Sequence, residues 1–322
     1  MKARRVLSRR RAIGFACRSW HDSRVNSGVA FTIPSSATIA DVADTALWVA
    51  ALRARETRRS RAAFRDPLAA LLAGERGDAI ARSFRNSAAV EWGVVLRTAA
   101  LDRLLEEALT AGIDTVINLG AGLDTRPYRL NLPPALRWIE VDLAPLIAAK
   151  DAALAAQTPA CAVERVGLDL LDRSSRNALF ASIGARSTGA LIVAEGVIPY
   201  FSNADAADLA RDLAAVPAFR QWLLDFDNAG ARPLPRGWAQ LLGAAPFQFR
   251  PSDWFRFFHE CGWRRTKTVT TAEESARLGR RYPLTFPPGL LMRVLPKAVT
   301  ERVFSLSGVV MLERVRGDAK TA

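Results

Sequence analysis

The stretch Thr115-Val116-Ile117-Asn118-Leu119-Gly120-Ala121-Gly122-Leu123-Asp124-Thr125-Arg126 decides the fold. Its first five residues are mostly apolar and run directly into a pair of glycines. An apolar run of that length, bounded by turn residues, fits a buried strand better than a helix. Glycine carries no Cβ, so Gly120 and Gly122 let the chain turn sharply and let a ligand approach the backbone closely.

The same pattern recurs downstream. Leu136–Val141, Ala162–Leu168, Ala190–Ala194 and Gln221–Phe226 read as further strands, and Ala144–Ala156, Ser174–Ile183 and Ala204–Ala215 read as the helices between them. Strands alternating with helices at this spacing specify a parallel sheet covered on both faces. Ser252 is expected to cap a helix running to His259 that Gly262 ends. Trp263–Thr270 and Gly308–Val315 supply two last strands, read as an antiparallel edge pair. Upstream, Asp44–Arg59 has helical spacing, Asp66-Pro67 opens a short helix, and Ala88–Leu109 forms a long one stopped by Gly112. The expected fold is α/β: a doubly wound, mostly parallel seven-stranded sheet with an N-terminal helical cap. Residues 1–35 form a basic arm, 36–112 the helical cap or lid, and 113–322 a Rossmann-like domain with a substrate-side, Gly/Pro-rich insertion near 230–251.

In such a sheet ligands bind outside the carboxyl ends of the strands, where strand order reverses. Four successive strands end in glycine or a carboxylate: Gly120/Gly122, Glu140/Asp142, Asp169 and Glu195. The G-x-G alone suits nicotinamide, flavin and methyl-transfer enzymes alike, but the dinucleotide fingerprint needs a third glycine where Thr125 stands. Asp124 would also face a pyrophosphate badly, whereas it suits the cationic ammonium and sulfonium of S-adenosylmethionine. Asp142, twenty residues beyond Gly122, can accept hydrogen bonds from both ribose hydroxyls. Asp169-Leu170 can meet adenine through a carboxylate and a backbone N–H. A helix N-cap is the alternative for both acids.

Composition narrows the class. Half of the 322 residues are hydrophobic and 24% are charged, enough for one large core. No apolar window approaches a membrane span of about 18 residues, so neither a membrane span nor a membrane partner is expected. The net charge is +13, and residues 1–35 hold eight basic residues against Asp22 alone. That arm could meet phosphates through charge, resemble a targeting segment, be a solvated tail, or reflect a start placed upstream. Cys17, Cys161 and Cys261 are too few and too scattered for a disulfide framework or a zinc site, so a reducing cytoplasm and no metal are expected.

The run Val116–Arg126 resembles the signature of the leucine carboxyl methyltransferase family, which includes the tetracenomycin-type polyketide O-methyltransferases. Asp44-Thr45-Ala46-Leu47-Trp48, Phe64-Arg65-Asp66-Pro67, Glu140-Val141-Asp142, Ala194-Glu195-Gly196-Val197 and Tyr200-Phe201 extend the resemblance over about residues 40–315. It implies that Arg97, on the helix before the first strand, pairs with the donor's carboxylate. It also implies that Gly120 lines the donor, Asp142 takes the ribose, Asp169-Leu170 contact adenine, and Glu195 lies near the amino group or the pocket mouth. The arm before residue 36 has no place in that pattern.

The activity expected is S-adenosylmethionine-dependent O-methylation of a small-molecule hydroxyl or carboxylate. A protein C-terminal carboxyl methyltransferase is the alternative within the family; a nicotinamide oxidoreductase, or a nucleic-acid binder using the arm, lies outside it. His259, Tyr200 and Glu195 are candidates for a base, with His259 expected to pack in the core, and no catalytic base is assigned. Trp48, Phe64 and Trp92 are candidates to line an apolar cavity. The acceptor and the oligomeric state are not written in spacing.

Overall fold

Every residue of β1 (Thr115–Leu119) is buried, as a strand paired on both edges and covered on both faces must be. The computed structural model describes residues 42–83, 88–227, 247–281, 283 and 305–315. The whole basic arm, and residues 230–246 of the 230–251 insertion, therefore lie outside the described residues. β1 pairs in parallel with β2 (Arg137–Asp142) on one side and β4 (Ala190–Ala194) on the other. β3 (Ala162–Gly167) continues beyond β2, and β5 (Phe219–Asp227) beyond β4. The full order is β3-β2-β1-β4-β5-β7-β6, with β6 at Trp263–Thr270 and β7 at Ser307–Arg314. Strand order thus reverses at β1, between β2 and β4. This is the expected doubly wound seven-stranded sheet. Its final strands differ in detail, because β7 inserts antiparallel between β5 and β6 and only β6 is left at the edge.

Helices α1 (Val42–Thr57), α2 (Ala69–Ser83) and α3 (Ala88–Leu109) precede the sheet. The second starts at Ala69 and not at Asp66-Pro67, because Asp66 turns inward to an ion pair with Arg53 and does not cap a helix; it is broken at Gly74, whose φ is +55°. Trp48 and Leu52 of α1 form a core with Leu72 and Ile80 of α2. α3 is shared with the sheet: Leu101, Leu104 and Leu105 pack with Val116, Trp138, Leu191, Leu223 and Met311. The other sheet face buries Phe180, Leu209, Trp222, Phe258 and Trp263. α4 (Arg126–Arg129), α5 (Ala144–Leu154), α6 (Arg173–Ala185) and α7 (Asn203–Ala214) link successive strands, followed by α8 (Trp254–Glu260) and α9 (Thr271–Leu278).

Two local corrections have clear causes. Asp253, not Ser252, caps α8, since its carboxylate accepts from both the Phe255 and Arg256 amides. α9 went unforeseen although Thr270 and Glu273 form a capping box, a signature readable in the sequence. No helix among the described residues is long and apolar enough to cross a membrane.

Candidate functional site

The tips of β1, β2, β4 and β5 meet at one end of the sheet, and the loop after β1 is shaped by them. Gly120 has φ +59°, and a Cβ there would lie 2.4 Å from the Val197 side chain, so only glycine fits between the β1 and β4 tips. The Ala121 amide donates to the Val141 carbonyl at 3.1 Å. The Gly122 amide donates to Asp142 Oδ2 at 2.7 Å, while Asp142 Oδ1 accepts from its neighbour Leu143 at 2.7 Å. Asp142 is therefore no helix cap; it is tied to the glycine loop. Burial raises its pKa, against the Gly122 and Leu143 amides and Lys150, which lower it.

Asp169 is exposed, and its carboxylate accepts from the Leu171 amide at 2.9 Å. The cap of α6 is Asp172, three residues on. Leu170 is buried, with its carbonyl held by Arg176. Leu143 and Leu171 are among the few large apolar side chains left exposed in the described residues, 48% and 41%, and they stand beside the two acids.

Arg126 is the hub of this end of the sheet. It is 2% exposed, and its Nε, Nη1 and Nη2 donate to Asp102, Asp124 and Glu195 at 2.7, 2.7 and 2.8 Å. Arg129 forks onto Asp102 at 2.7 and 2.8 Å. Arg97 donates through Nε to Glu195 Oε1 at 2.9 Å and through Nη1 to Asp225 Oδ2 at 3.3 Å. Its Nη2 makes no hydrogen bond among the described residues, and the side chain remains 26% exposed. The cluster holds four carboxylates (Asp102, Asp124, Glu195, Asp225) against three guanidinium groups (Arg97, Arg126, Arg129). That leaves an excess of one negative charge.

Several sequence-based expectations change here. Asp124 is turned inward: besides Arg126 it accepts from Asn118 Nδ2 at 2.8 Å, so its charge is already matched and it braces the loop. Glu140 is fully buried between Lys150, at 2.8 Å, and Arg165, at 2.7 Å, below the tip of its strand. His259 is exposed and not packed in the core, because Trp254 and Phe258 take the inward face of α8. Trp48 and Phe64 are core residues, and Arg129 lies over the Phe64 ring at 5.5 Å; the Trp92 indole donates to the Arg280 carbonyl at 2.9 Å. None of the three is thereby marked as lining a cavity. Arg126, Asp102 and Asp225 were missed. Asp225 lies inside β5, two residues before its end, so the strand-end rule passes over it.

Asp124 and Glu195 are pushed up by burial, but Arg126 outweighs it, with Lys150 helping at Asp124 and Arg97 at Glu195, and both pKa values end below the ordinary carboxylate range. They stabilise the fold fully above their unfolded pKa, about 4, and that contribution is lost as pH falls through their folded values. Asp142 and Asp225, raised chiefly by burial, have the opposite sign: the native state takes up their protons first as pH drops from neutrality. Urea midpoints are therefore expected to peak on the mildly acidic side and to fall below about pH 4. A midpoint flat from pH 7 to pH 3 would contradict the network.

No group of three or more His, Cys, Asp or Glu residues suited to a metal ion occurs among the described residues. The profile of the leucine carboxyl methyltransferase family matches residues 46–214. A protein of Streptomyces avermitilis, provisionally named as an S-adenosyl-L-methionine-dependent methyltransferase, is 31% identical over 263 residues, covering 76% of this chain and 89% of the relative. A similarly named protein of Frankia alni is 31% identical over 258 residues, covering 76% and 88%. Among solved structures, a DUF574 family protein from Streptomyces avermitilis aligns with a TM-score of 0.53 at 18% identity, over 83% of this chain and 97% of that one. That likeness concerns the fold.

Proposed function

The chain belongs to the leucine carboxyl methyltransferase family, and from that premise we propose that it transfers a methyl group to an oxygen of a small organic acceptor, a hydroxyl or a carboxylate. S-adenosylmethionine is the methyl donor. The observation that carries the reading is the 2.7 Å bond from the Gly122 amide to Asp142, which joins the bare glycine loop and the ribose-binding acid into one cradle. Asp142 keeps lone pairs for both ribose hydroxyls. Leu143 and Leu171 offer apolar surface to adenine, with Asp169-Leu170 at its polar edge. Arg97 Nη2 is left to take a carboxylate of the donor, a group that a guanidinium fork suits. The extra negative charge of the cluster suits a ligand bearing ammonium and sulfonium better than a pyrophosphate.

Bound there, the sulfonium supplies an electrophilic methyl group, displaced in line. What this chain contributes is alignment and exclusion of water. Neither Glu195 nor Tyr200 is free to act as a base here. Glu195 gives both oxygens to arginines, and burial raises the Tyr200 phenol so that it stays protonated at neutral pH. The state of these two residues favours an acceptor oxygen that is already ionised, a carboxylate or an acidic phenol. The buried free thiols of Cys161 and Cys261 suit a reducing cytoplasm.

The test is incubation with methyl-labelled S-adenosylmethionine and a panel of small phenols and carboxylic acids, followed by mild base, which releases methanol from esters and leaves ethers intact. Label is expected in a small product, at a rate following the acceptor's own ionisation. Label found only on nitrogen or on a macromolecule would overturn the reading.

A further inference from the structure

Arg97 can grip a carboxylate as a fork only if its plane is fixed before the ligand arrives, because ordering a long, rotamer-rich side chain opposes binding. Glu195 fixes one corner through Nε. The other corner is held from β5. Ala194 and Leu224 are register partners, so the next residues of β4 and β5, Glu195 and Asp225, emerge side by side at the tips. Asp225 then does two things with one carboxylate. Oδ1 accepts the Gly196 amide at 2.7 Å, and Oδ2 accepts Arg97 Nη1 at 3.3 Å. Gly196 has φ +67°, and a Cβ there would sit 3.6 Å from Arg97 Nη1, so the bare turn forms the wall against which the guanidinium lies. We propose that Asp225 is a positioning residue that aims the free edge of Arg97 at the carboxylate of the methyl donor.

The proposal rests on the reading of Arg97 given above, and it adds a residue that touches no ligand group itself. Asp225 is well suited to a selective test. Glu195 also holds Arg126, whereas Asp225 serves only the Gly196 turn and Arg97 in the bonds described, so changing it leaves the Arg126 hub whole. In Asp225→Asn the amide oxygen can still accept from Gly196, but the amide nitrogen meets Arg97 donor to donor. The turn is kept and the aim is lost.

The experiment measures, by calorimetry on the full-length chain, the affinities of S-adenosylmethionine and of its decarboxylated analogue, which lacks the group Arg97 is to grip. Asp225→Asn is expected to weaken S-adenosylmethionine about tenfold, the effect of one side chain left unordered, and to leave the analogue within about twofold. Equal losses for both ligands, or no loss for either, would overturn the proposal. Arg97→Ala reports on the premise separately. If it discriminates between the two ligands while Asp225→Asn does not, Arg97 keeps its role and the positioning role fails. If Arg97→Ala itself shows no discrimination, the premise fails and the proposal with it. Should Asp225→Asn not fold, Asp225→Ser is read in its place for the same split. Failure of both to fold would make Asp225 a determinant of the fold rather than of aim, which also overturns the proposal.

Discussion

Replacing Arg126 by leucine is expected to destabilise the protein by about 3–5 kcal/mol, the cost of breaking a buried ionic cluster by removing one partner. Its three nitrogens each serve a different carboxylate: Asp102 on α3, Asp124 in the loop after β1, and Glu195 at the tip of β4. Without it those acids keep direct ion pairs only with Arg97 and Arg129, and the cluster's excess of one negative charge becomes two. Lysine should recover part of the loss, since it returns the charge but not the three-way geometry. A surface pair gives the contrast. Arg256 and Glu260 are 2.8 Å apart on α8 but 77% and 61% exposed, so Arg256→Ala should leave the urea midpoint essentially where it is. Urea unfolding of the three variants checks the ordering. A loss below about 1 kcal/mol for Arg126→Leu would mean that the acids relax into solvent.

Asp142→Ala should abolish most donor affinity while leaving the fold intact. Two hydrogen bonds from ribose hydroxyls to a charged acceptor contribute about 1.5 kcal/mol each or more, so the loss should reach about a hundredfold. The Gly122 amide also loses its acceptor, which loosens the loop that faces the ligand. Stability should change little, because burial already makes this carboxylate costly, as its raised pKa indicates. The same shift predicts a pH dependence. Donor affinity should weaken as the solution is acidified, beginning above the usual aspartate range, since a protonated Asp142 offers one acceptor fewer. Calorimetry of the variant at neutral pH is decisive. A loss under about threefold would remove Asp142 from the site.

The sheet was legible because its centre is simple. β1 is a mostly apolar and β4 a wholly apolar run bounded by turn residues, and their ends fall where the sequence places them. The acids at the strand tips were visible for the same reason, as they stop those runs. What they do was not visible. Asp124 reads as a ligand for a cation until Arg126, two residues on, is seen to fold back and take it, and that depends on Asp102 arriving from a helix more than twenty residues earlier. His259 reads as core because Phe257 and Phe258 precede it, yet a helix turns 100° per residue and the inward face of α8 is already filled by Trp254 and Phe258. Spacing encodes which strand a residue ends. It does not encode which of several nearby arginines the residue meets.

On the function proposed, the glycine loop, the acids and the arginine at one end of this sheet receive a cationic adenosyl ligand. Calorimetric titration of the full-length chain with S-adenosylmethionine and with NAD in parallel tests it most directly. The account predicts saturable binding of S-adenosylmethionine with a Kd on the order of micromolar and no measurable heat from NAD. Tighter binding of NAD, or no binding of S-adenosylmethionine, would contradict it.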